Sequence, residues 1–191
     1  MNLEHRRFDN SNQMHETRAQ EPALGFNKNE FVVYPAHGVG RILSIEVQAI
    51  AGTSLEFFVI YFAKSKMTAR VPTQKAASIG MRKLSSPAVI EQVRRTLSQP
   101  TPRGRTNWVR LTKEYEAKIK SGDVIALAEV MRDLHRRAAD IEQSYSERQF
   151  YGTALDRLSA EVALVEHTNE EKAVLELESI LMSRAGRTNR C

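Results

Sequence analysis

Residues 55–62 read Leu-Glu-Phe-Phe-Val-Ile-Tyr-Phe, and this stretch decides the fold of the first half of the chain. Seven of its eight residues are apolar or aromatic, and strands favour aromatic and β-branched residues. Because apolar side chains occupy both alternating positions, the stretch predicts a strand that is buried on both faces. The alternative is an edge strand that pairs with a strand of another protein.

Shorter strand patterns precede this run. Residues 41–50 alternate between two faces and lead into residues 51–54, Ala-Gly-Thr-Ser, which are typical of a hairpin loop. Further upstream, residues 31–34 favour a strand that Pro35 stops, and residues 37–40, His-Gly-Val-Gly, predict a turn. Closely spaced short strands of this kind indicate a small β-barrel.

Another strand is predicted downstream, where residues 67–71 alternate and end at Pro72. The alternation places Arg70 on the outer face, because Val71 and every second residue before it turn inward. The ordinary interpretation of Arg70 is a solvent-facing strand residue. The alternative is a contact with a partner protein.

From Ser86 onward the apolar period becomes that of helices. Ser86 is a predicted N-cap with Pro87 at the first helical position, and residues 89–97 carry an apolar stripe. Residues 99–104, Gln-Pro-Thr-Pro-Arg-Gly, break this helix. A second helix is predicted from about residue 107 to 120.

Three more helices follow. Asp123 is a predicted N-cap of the third, Ser146 and Gln149 match a capping box for the fourth, and Thr168 and Glu171 match one for the fifth. The fold class is therefore α+β with two domains, a small β domain followed by a compact domain of about five helices.

These patterns divide the chain into four segments. Residues 1–26 are rich in Asn, Gln, Glu and Arg without an apolar period, and are predicted to be a disordered tail. Residues 27–84 form the β domain and residues 85–186 the helical domain. Residues 187–191 are a polar end.

Composition narrows the class of protein. Of 191 residues, 41% are hydrophobic and 27% charged, as in ordinary globular proteins. The longest apolar run, residues 57–63, is too short to span a bilayer, and no apolar stretch follows Arg6 and Arg7, so neither a membrane span nor a signal peptide is predicted. The single cysteine, Cys191, excludes an internal disulfide, and we expect a cytoplasmic protein.

Charge is concentrated in the middle of the chain. The net charge is +5, yet residues 64–120 hold 14 of the 28 Lys and Arg and only 3 Asp or Glu, a local excess of +11. Such asymmetry indicates a localised surface that binds anions.

Motifs of catalysis are missing from the sequence. It contains no GxxxxGK[ST], GxGxxG, HExxH or GxSxG pattern, and its five histidines are scattered. We therefore expect a binding protein with no cofactor and no metal, rather than an enzyme. A small hydrolase or nuclease would need an acid–base or metal site assembled across the fold.

The single tryptophan, Trp108, allows two interpretations. It can be a core anchor, which is the usual place of a lone tryptophan. It can also be an exposed aromatic that stacks on a base or wedges into a groove, because Arg103, Arg105, Arg110 and Lys113 surround it.

Other cations are ambiguous too. Arg136 and Arg137, with Arg132 one turn earlier, lie near the end of the third helix, where cations often do no more than offset the helix dipole. Arg148 is equally open to a structural or a binding interpretation.

Five motifs in order resemble those of the CarD/CdnL family of bacterial transcription regulators, which bind RNA polymerase. The similarity spans residues 27–185, and its motifs are residues 31–40 (FVVYPAHGVG), 70–72 (RVP), 106–108 (TNW), 118–123 (KIKSGD) and 128–137 (AEVMRDLHRR). The resemblance implies a Tudor-like β domain that binds the polymerase β subunit and a helical domain that contacts promoter DNA.

The resemblance also implies contact residues on the polymerase. Arg70 matches a family arginine that contacts the β subunit, and edge-strand pairing implicates residues from Val47 to Ile50. A second family arginine falls at Gln48, which keeps hydrogen bonding without the strength that a charge adds.

On the DNA side, Trp108 matches the family tryptophan that acts as a wedge at the upstream edge of the transcription bubble. Family basic positions fall on Arg110, Lys113, Arg137 and Arg148, and all four are basic here. The resemblance thus implies contacts with the minor groove and the DNA backbone.

The hypothesis is a monomer that binds RNA polymerase holoenzyme with its primary sigma factor and stabilises the promoter open complex. It would read little DNA sequence and contact no membrane. The alternative is an architectural protein that binds DNA nonspecifically without polymerase.

Overall fold

The first half of the chain forms five strands. The computed structural model describes residues 25–50, 52–101, 108–140 and 144–188. Its strands are β1 (Phe31–Tyr34), β2 (Gly38–Ile50), β3 (Thr53–Phe62), β4 (Met67–Pro72) and β5 (Arg82–Lys83), with a short 3-10 helix at Thr73–Lys75. They form one antiparallel sheet in the order β4-β3-β2-β1-β5.

Strand β3 lies inside this sheet. Over residues 57–61 it pairs with β2 on one edge and with β4 on the other. Its residues Phe58, Ile60 and Phe62 are fully buried in the core of the β domain, and Phe57 and Val59 on the opposite face are also buried. The prediction of a buried strand is confirmed, and the alternative of an edge strand is wrong because both edges are paired.

The predicted turn at residues 37–40 is displaced. The turn comprises residues 35–37, and Gly38 already begins β2. Gly40 sits in the strand because the core leaves no space for a side chain there. A Cβ at this position would lie 2.6 Å from Ile60 Cγ2 and 2.7 Å from Phe62 Cε1.

Gly40→Ala is therefore expected to lower the free energy of unfolding by about 2 kcal/mol, since overpacking of a filled core costs about 1–3 kcal/mol. Urea denaturation measures this change. Gly152→Ala is the matched control, because its Cβ would meet nothing within 4 Å. In a helix that control should be neutral or stabilising, and equal losses for both variants would contradict the expectation.

The second half of the chain is helical. The helices are α1 (Pro87–Ser98), α2 (Trp108–Ser121), α3 (Val124–Asp140), α4 (Tyr145–Val165) and α5 (Glu170–Thr188). They surround a second core, whose largest fully buried side chains include Tyr115, Met131, Leu158 and Leu177. The predicted fold class, a β domain followed by a helical domain, is confirmed.

Two predicted helix starts are confirmed. The Ser86 hydroxyl accepts a hydrogen bond from the amide of Val89 at the start of α1. At the start of α3, Asp123 Oδ1 accepts one from the amide of Ile125 at 2.9 Å. Both side chains satisfy amides that have no partner within their helix.

The predicted capping box of the fourth helix is wrong by two residues. Ser144, and not Ser146, caps α4, and its partner is Glu147 rather than Gln149. The amide of Ser144 donates to Glu147 Oε2 at 2.8 Å. A carboxylate gains from the positive end of the helix dipole, which a neutral glutamine does not.

The start of the fifth helix is also shifted. Asn169 Oδ1, and not Thr168, accepts the hydrogen bond from a first-turn amide, that of Lys172, at 2.8 Å. Thr168 instead serves the preceding helix, because its amide donates to the carbonyl of Ala163 at 2.9 Å.

Candidate functional site

The sheet brings three of the four predicted polymerase contacts to one face. Arg70 lies opposite Val59, and Val59 lies opposite Ser44 on β2. Residues two apart on a strand share a face, so Gln48 and Ile50 lie on the same outer face as Arg70. Val47 has the opposite parity and lies on the other face, where its side chain is 67% exposed.

Arg70 forms an ion pair across the outer face. Its Nε lies 3.6 Å from Glu46 Oε2, and the Ser44 hydroxyl donates to the other oxygen of Glu46 at 2.9 Å. The Arg70 side chain remains 57% exposed. An exposed pair of this kind contributes little to stability, so Arg70 is oriented by Glu46 and still accessible to a partner.

The edge of β2 that pairs with β1 has no partner strand in the second half of β2, among the described residues. Strand β1 pairs with β2 only from Gly38 to Arg41. A bulge between Ile42 and Ser44 shifts the register where this pairing ends. Within the described residues, no strand pairs with this edge from Ser44 to Ile50. An open edge is a template for strand addition.

In the helical domain, α2 and α4 pack side by side and run in the same direction. The rings of Tyr115 and Phe150 are 6.5 Å apart, and further along both helices Arg157 Nη1 donates to the Ile119 carbonyl at 2.7 Å. Since these contacts advance together, the N-terminal ends of α2 and α4 lie at the same end of the domain. We call it the α2/α4 end, comprising residues 108–113 and 144–148.

The α2/α4 end carries three of the predicted DNA-contacting cations. Arg110 and Lys113 are exposed on the first two turns of α2, and Arg148 is exposed on the first turn of α4. Trp108 supplies the first backbone residue of α2, and its side chain lies outside the described part of the structure. The side chain of Arg137 on α3 also lies outside it.

The carboxylates of α2 are engaged away from this end. Glu114 pairs with Lys118 at 2.9 Å, and Glu116 pairs with Lys120 at 3.7 Å. Burial disfavours the charged form of Lys118, but Glu114 and Glu129 outweigh it and raise the pKa of Lys118. The first turn of α2 contains no acidic residue, so its dipole and the exposed cations make the α2/α4 end positive.

Arg132 is buried, so it does not belong to a surface group of cations with Arg136 and Arg137, as the sequence had suggested. Its side chain is only 7% exposed, and its Nε lies 2.9 Å from Asp133 Oδ1. A buried guanidinium that is paired in this way acts within the helical domain and not on its surface.

Arg157 of α4 joins the β domain to the helical domain. Its guanidinium donates to the carbonyls of Pro35 at 2.6 Å, Ala36 at 2.9 Å and Ile119 at 2.7 Å. Burial lowers the pKa of Arg157, yet an arginine stays protonated at any physiological pH. One side chain therefore connects the β1–β2 turn, the end of α2 and the middle of α4.

A second contact between the domains is a buried ion pair. Arg82 of β5 donates to both oxygens of Glu161 at 2.7 and 2.8 Å, and also to the Gly122 carbonyl at 2.6 Å. Glu161 is 2% exposed and accepts a further bond from the amide of Ser85 at 2.8 Å. The hydrogen-bonding groups of this pair are thus well satisfied.

A third contact lies nearer the surface. Lys64, in the β3–β4 turn, pairs with Asp156 at 2.8 Å and with Glu170. Burial disfavours the charge of Lys64, but the two carboxylates outweigh it and raise its pKa. Sequence reasoning missed all three contacts, since no local pattern links residues that are separated by 38 to 122 positions along the chain.

Metal-binding clusters and membrane-spanning helices are both absent from the described residues. There, no group of three or more His, Cys, Asp or Glu residues could hold a metal ion. None of the described helices is both long enough and apolar enough to cross a membrane.

Known families match both domains. The model described as CarD-like/TRCF RID domain matches residues 26–85, and the model described as CarD, C-terminal domain matches residues 92–178. The chain belongs to the CarD family. The CarD family is of transcription-factor type and is not a family of enzymes, which supports a role in transcription regulation for this chain.

A curated relative agrees with this CarD-family assignment. The chain is 26% identical over 147 residues to a protein of Bacillus subtilis (strain 168) named Putative transcription factor YdeB. The match covers 77% of this chain and 96% of the relative. The RID domain model in addition implies an interaction with RNA polymerase in general.

Proposed function

We propose that this protein binds the β subunit of RNA polymerase through its β domain and stabilises the promoter open complex through its helical domain. The outer face with Arg70, Gln48 and Ile50, together with the open edge of β2, forms the polymerase surface. The α2/α4 end, with Trp108, Arg110, Lys113 and Arg148, contacts DNA at the upstream edge of the bubble.

The observation that carries this proposal is the junction of the domains. Arg157, Arg82 and Lys64 each bond across it, so the two candidate surfaces are held in one body. A regulator that acts on polymerase-bound DNA needs a rigid junction of this kind. When its β domain binds polymerase, the junction then holds the α2/α4 end at a defined position on the DNA. Tethering then replaces strong intrinsic DNA affinity with a high effective concentration.

The chemistry of the α2/α4 end supports contacts with the DNA backbone and with distorted DNA rather than readout of base edges. Arginine and lysine side chains there attract phosphates. Four phosphate contacts, counting Arg137, correspond to a slope of about −3.6 in log affinity against log salt. One aromatic–base stack by Trp108 contributes about 1–3 kcal/mol, which is enough to shift promoter opening about tenfold.

The lifetime of promoter complexes tests the proposal. Bacterial holoenzyme is bound to a promoter with and without this protein and challenged with a DNA competitor, and a longer lifetime is the expected result. Unchanged lifetime with confirmed polymerase binding would refute the role in the open complex. Tight duplex binding and bending without polymerase binding would favour the architectural alternative.

Arg70→Glu is expected to weaken polymerase binding by about tenfold or more. The variant removes an exposed cation and places a second carboxylate beside Glu46, which lies 3.6 Å from the Arg70 guanidinium. Affinity for core polymerase, measured by biolayer interferometry, checks this.

Lys75→Glu makes the same change of charge on the 3-10 helix after β4 and should bind as the parent does. If Arg70→Glu also binds as the parent does, the contact with polymerase lies elsewhere on the protein.

A further inference from the structure

Tyr145 is the most exposed large apolar side chain among the described residues. It is 74% exposed, at the first position of α4. Exposure of a tyrosine ring to this extent leaves apolar area in water that a partner can cover.

Tyr145 is not among the residues that form or pack against the helical core. Phe150 and Tyr151, one turn and more along the helix, pack against the helical core. The backbone amides at the start of α4 are capped by Ser144 and Glu147. Tyr145 is thus available for a contact outside the domain.

Tyr145 lies at the same end of the helical domain as the first residue of α2. Trp108 is seven residues before Tyr115, and Tyr145 is five residues before Phe150, the ring that packs on Tyr115. At about 1.5 Å per residue both lie roughly 8–10 Å beyond this contact, in the same direction. The first residues of α2 and α4 therefore lie at the same end of the helical domain.

The surroundings of Tyr145 are suited to a polyanion. Arg110, Lys113 and Arg148 are exposed at the same end. The one acidic residue in the first turn of α4, Glu147, is buried and occupied with capping Ser144. Two helix N-termini add partial positive charge.

We propose that Tyr145 contacts promoter DNA next to Trp108, with its hydroxyl donating to a phosphate oxygen and its ring against the neighbouring sugar. This inference rests on the proposed function and adds a residue to the same surface. A phenol suits such a site because one end is apolar and the other donates a hydrogen bond.

Variants of Tyr145 test the contact in the promoter-complex assay. Tyr145→Ala is expected to shorten the lifetime about fivefold, and Tyr145→Phe about two- to threefold, because Tyr145→Phe loses only one solvent-exposed hydrogen bond and keeps the ring. Leu175→Ala is the matched control: Leu175 is 67% exposed on α5. It lies near the end of α4 opposite to Tyr145 and should leave the lifetime unchanged.

Trp108→Ala in the same assay separates two kinds of failure. A shorter lifetime for Trp108→Ala with no change for Tyr145→Ala overturns this inference alone. No change for either variant overturns the proposed function with it. Retained affinity for polymerase in every variant, and an unchanged urea midpoint, are the required controls.

Photo-crosslinking identifies the partner directly. Benzoylphenylalanine replaces Tyr145, and the full-length protein is irradiated in complex with holoenzyme and labelled promoter DNA. Transfer of the label to this protein is expected. Crosslinking to a polymerase or sigma subunit without any DNA product would mean that Tyr145 contacts protein, and would overturn the inference.

Discussion

Trp108→Ala is expected to shorten the lifetime of the promoter open complex by about tenfold or more while affinity for polymerase stays unchanged. Loss of one aromatic–base stack costs about 1–3 kcal/mol, and about 1.4 kcal/mol changes an equilibrium tenfold. The residue begins α2, at the end of the domain where Arg110 and Lys113 are exposed. The polymerase surface proposed for the β domain is not altered by this change.

Val109→Ala is a suitable control for this variant. Val109 is the next residue of α2 and is 62% exposed, so its truncation removes neighbouring apolar surface without removing an aromatic ring. We expect the lifetime with Val109→Ala to be close to that of the parent. Equal lifetimes for parent, Val109→Ala and Trp108→Ala would refute the wedge.

Trp108→Phe refines the interpretation. A smaller ring can still stack, so a lifetime between those of the parent and Trp108→Ala is expected. The alternative interpretation from sequence, in which Trp108 is a core anchor, predicts a different result. Truncating a buried tryptophan costs about 3–5 kcal/mol of folding free energy, which would lower the urea midpoint strongly.

Glu161→Ala is expected to lower the free energy of unfolding by about 3 kcal/mol. Glu161 is 2% exposed and accepts hydrogen bonds from both Arg82 nitrogens and from the amide of Ser85. Removing one partner of a buried pair leaves the other charge uncompensated, at a cost of about 3–5 kcal/mol. We expect the lower end of this range of cost, because the Arg82 side chain is 31% exposed and water can partly solvate its charge.

Urea denaturation measures this loss, and Glu116→Ala is the control. Glu116 also pairs with a cation, Lys120, but at the surface and at 3.7 Å, with side chains 47% and 78% exposed. Its removal should cost less than about 0.5 kcal/mol. A loss for Glu161→Ala as small as that of Glu116→Ala would show that the junction pair does not hold the domains together.

Glu161→Gln, and a double variant that also carries Arg82→Met, measure how much the charge of Glu161 contributes to the free energy of unfolding. Glutamine keeps one oxygen, which can accept from the Ser85 amide and from Arg82 Nη1 as Oε1 does, but it replaces the acceptor for Arg82 Nη2 with an NH2 donor. An intermediate stability is therefore expected. In a double-mutant cycle with Arg82→Met, the loss for the two changes together should be smaller than the sum of the single losses. Additive losses would mean that the pair does not interact in solution.

The β-then-helix order could be predicted from local sequence with good accuracy. Residues 55–62 lie in β3, which is buried on both faces from Phe57 to Ile60, as their aromatic and β-branched composition indicates. Ser86 and Asp123 cap the helices that were predicted for them. These features depend on contacts between residues two to four apart, which a sequence displays directly.

Two predictions were wrong where the local sequence allowed more than one structure: the capping box of α4 and the turn at residues 37–40. Ser144 and Ser146 both precede a residue with a side-chain acceptor at the third position, and in the structure the pair of Ser144 and Glu147 forms the capping box. Residues 37–40 predict a turn, but Gly38 already begins β2, and Gly40 faces Ile60 and Phe62, which leave no space for a Cβ. Tertiary packing decided between conformations that the local sequence allowed.

The sequence by itself determined the order of elements, the caps of α1 and α3 and the residue types of the candidate surfaces. The tertiary structure alone decided that Gln48 and Arg70 share one face and that α2 and α4 begin at the same end. The tertiary structure alone also shows that Arg132 is buried and that Arg157 donates hydrogen bonds to three backbone carbonyls. The physical reason is sequence distance: Arg157 and Pro35 are 122 residues apart. A contact of that kind exists only once the chain has folded.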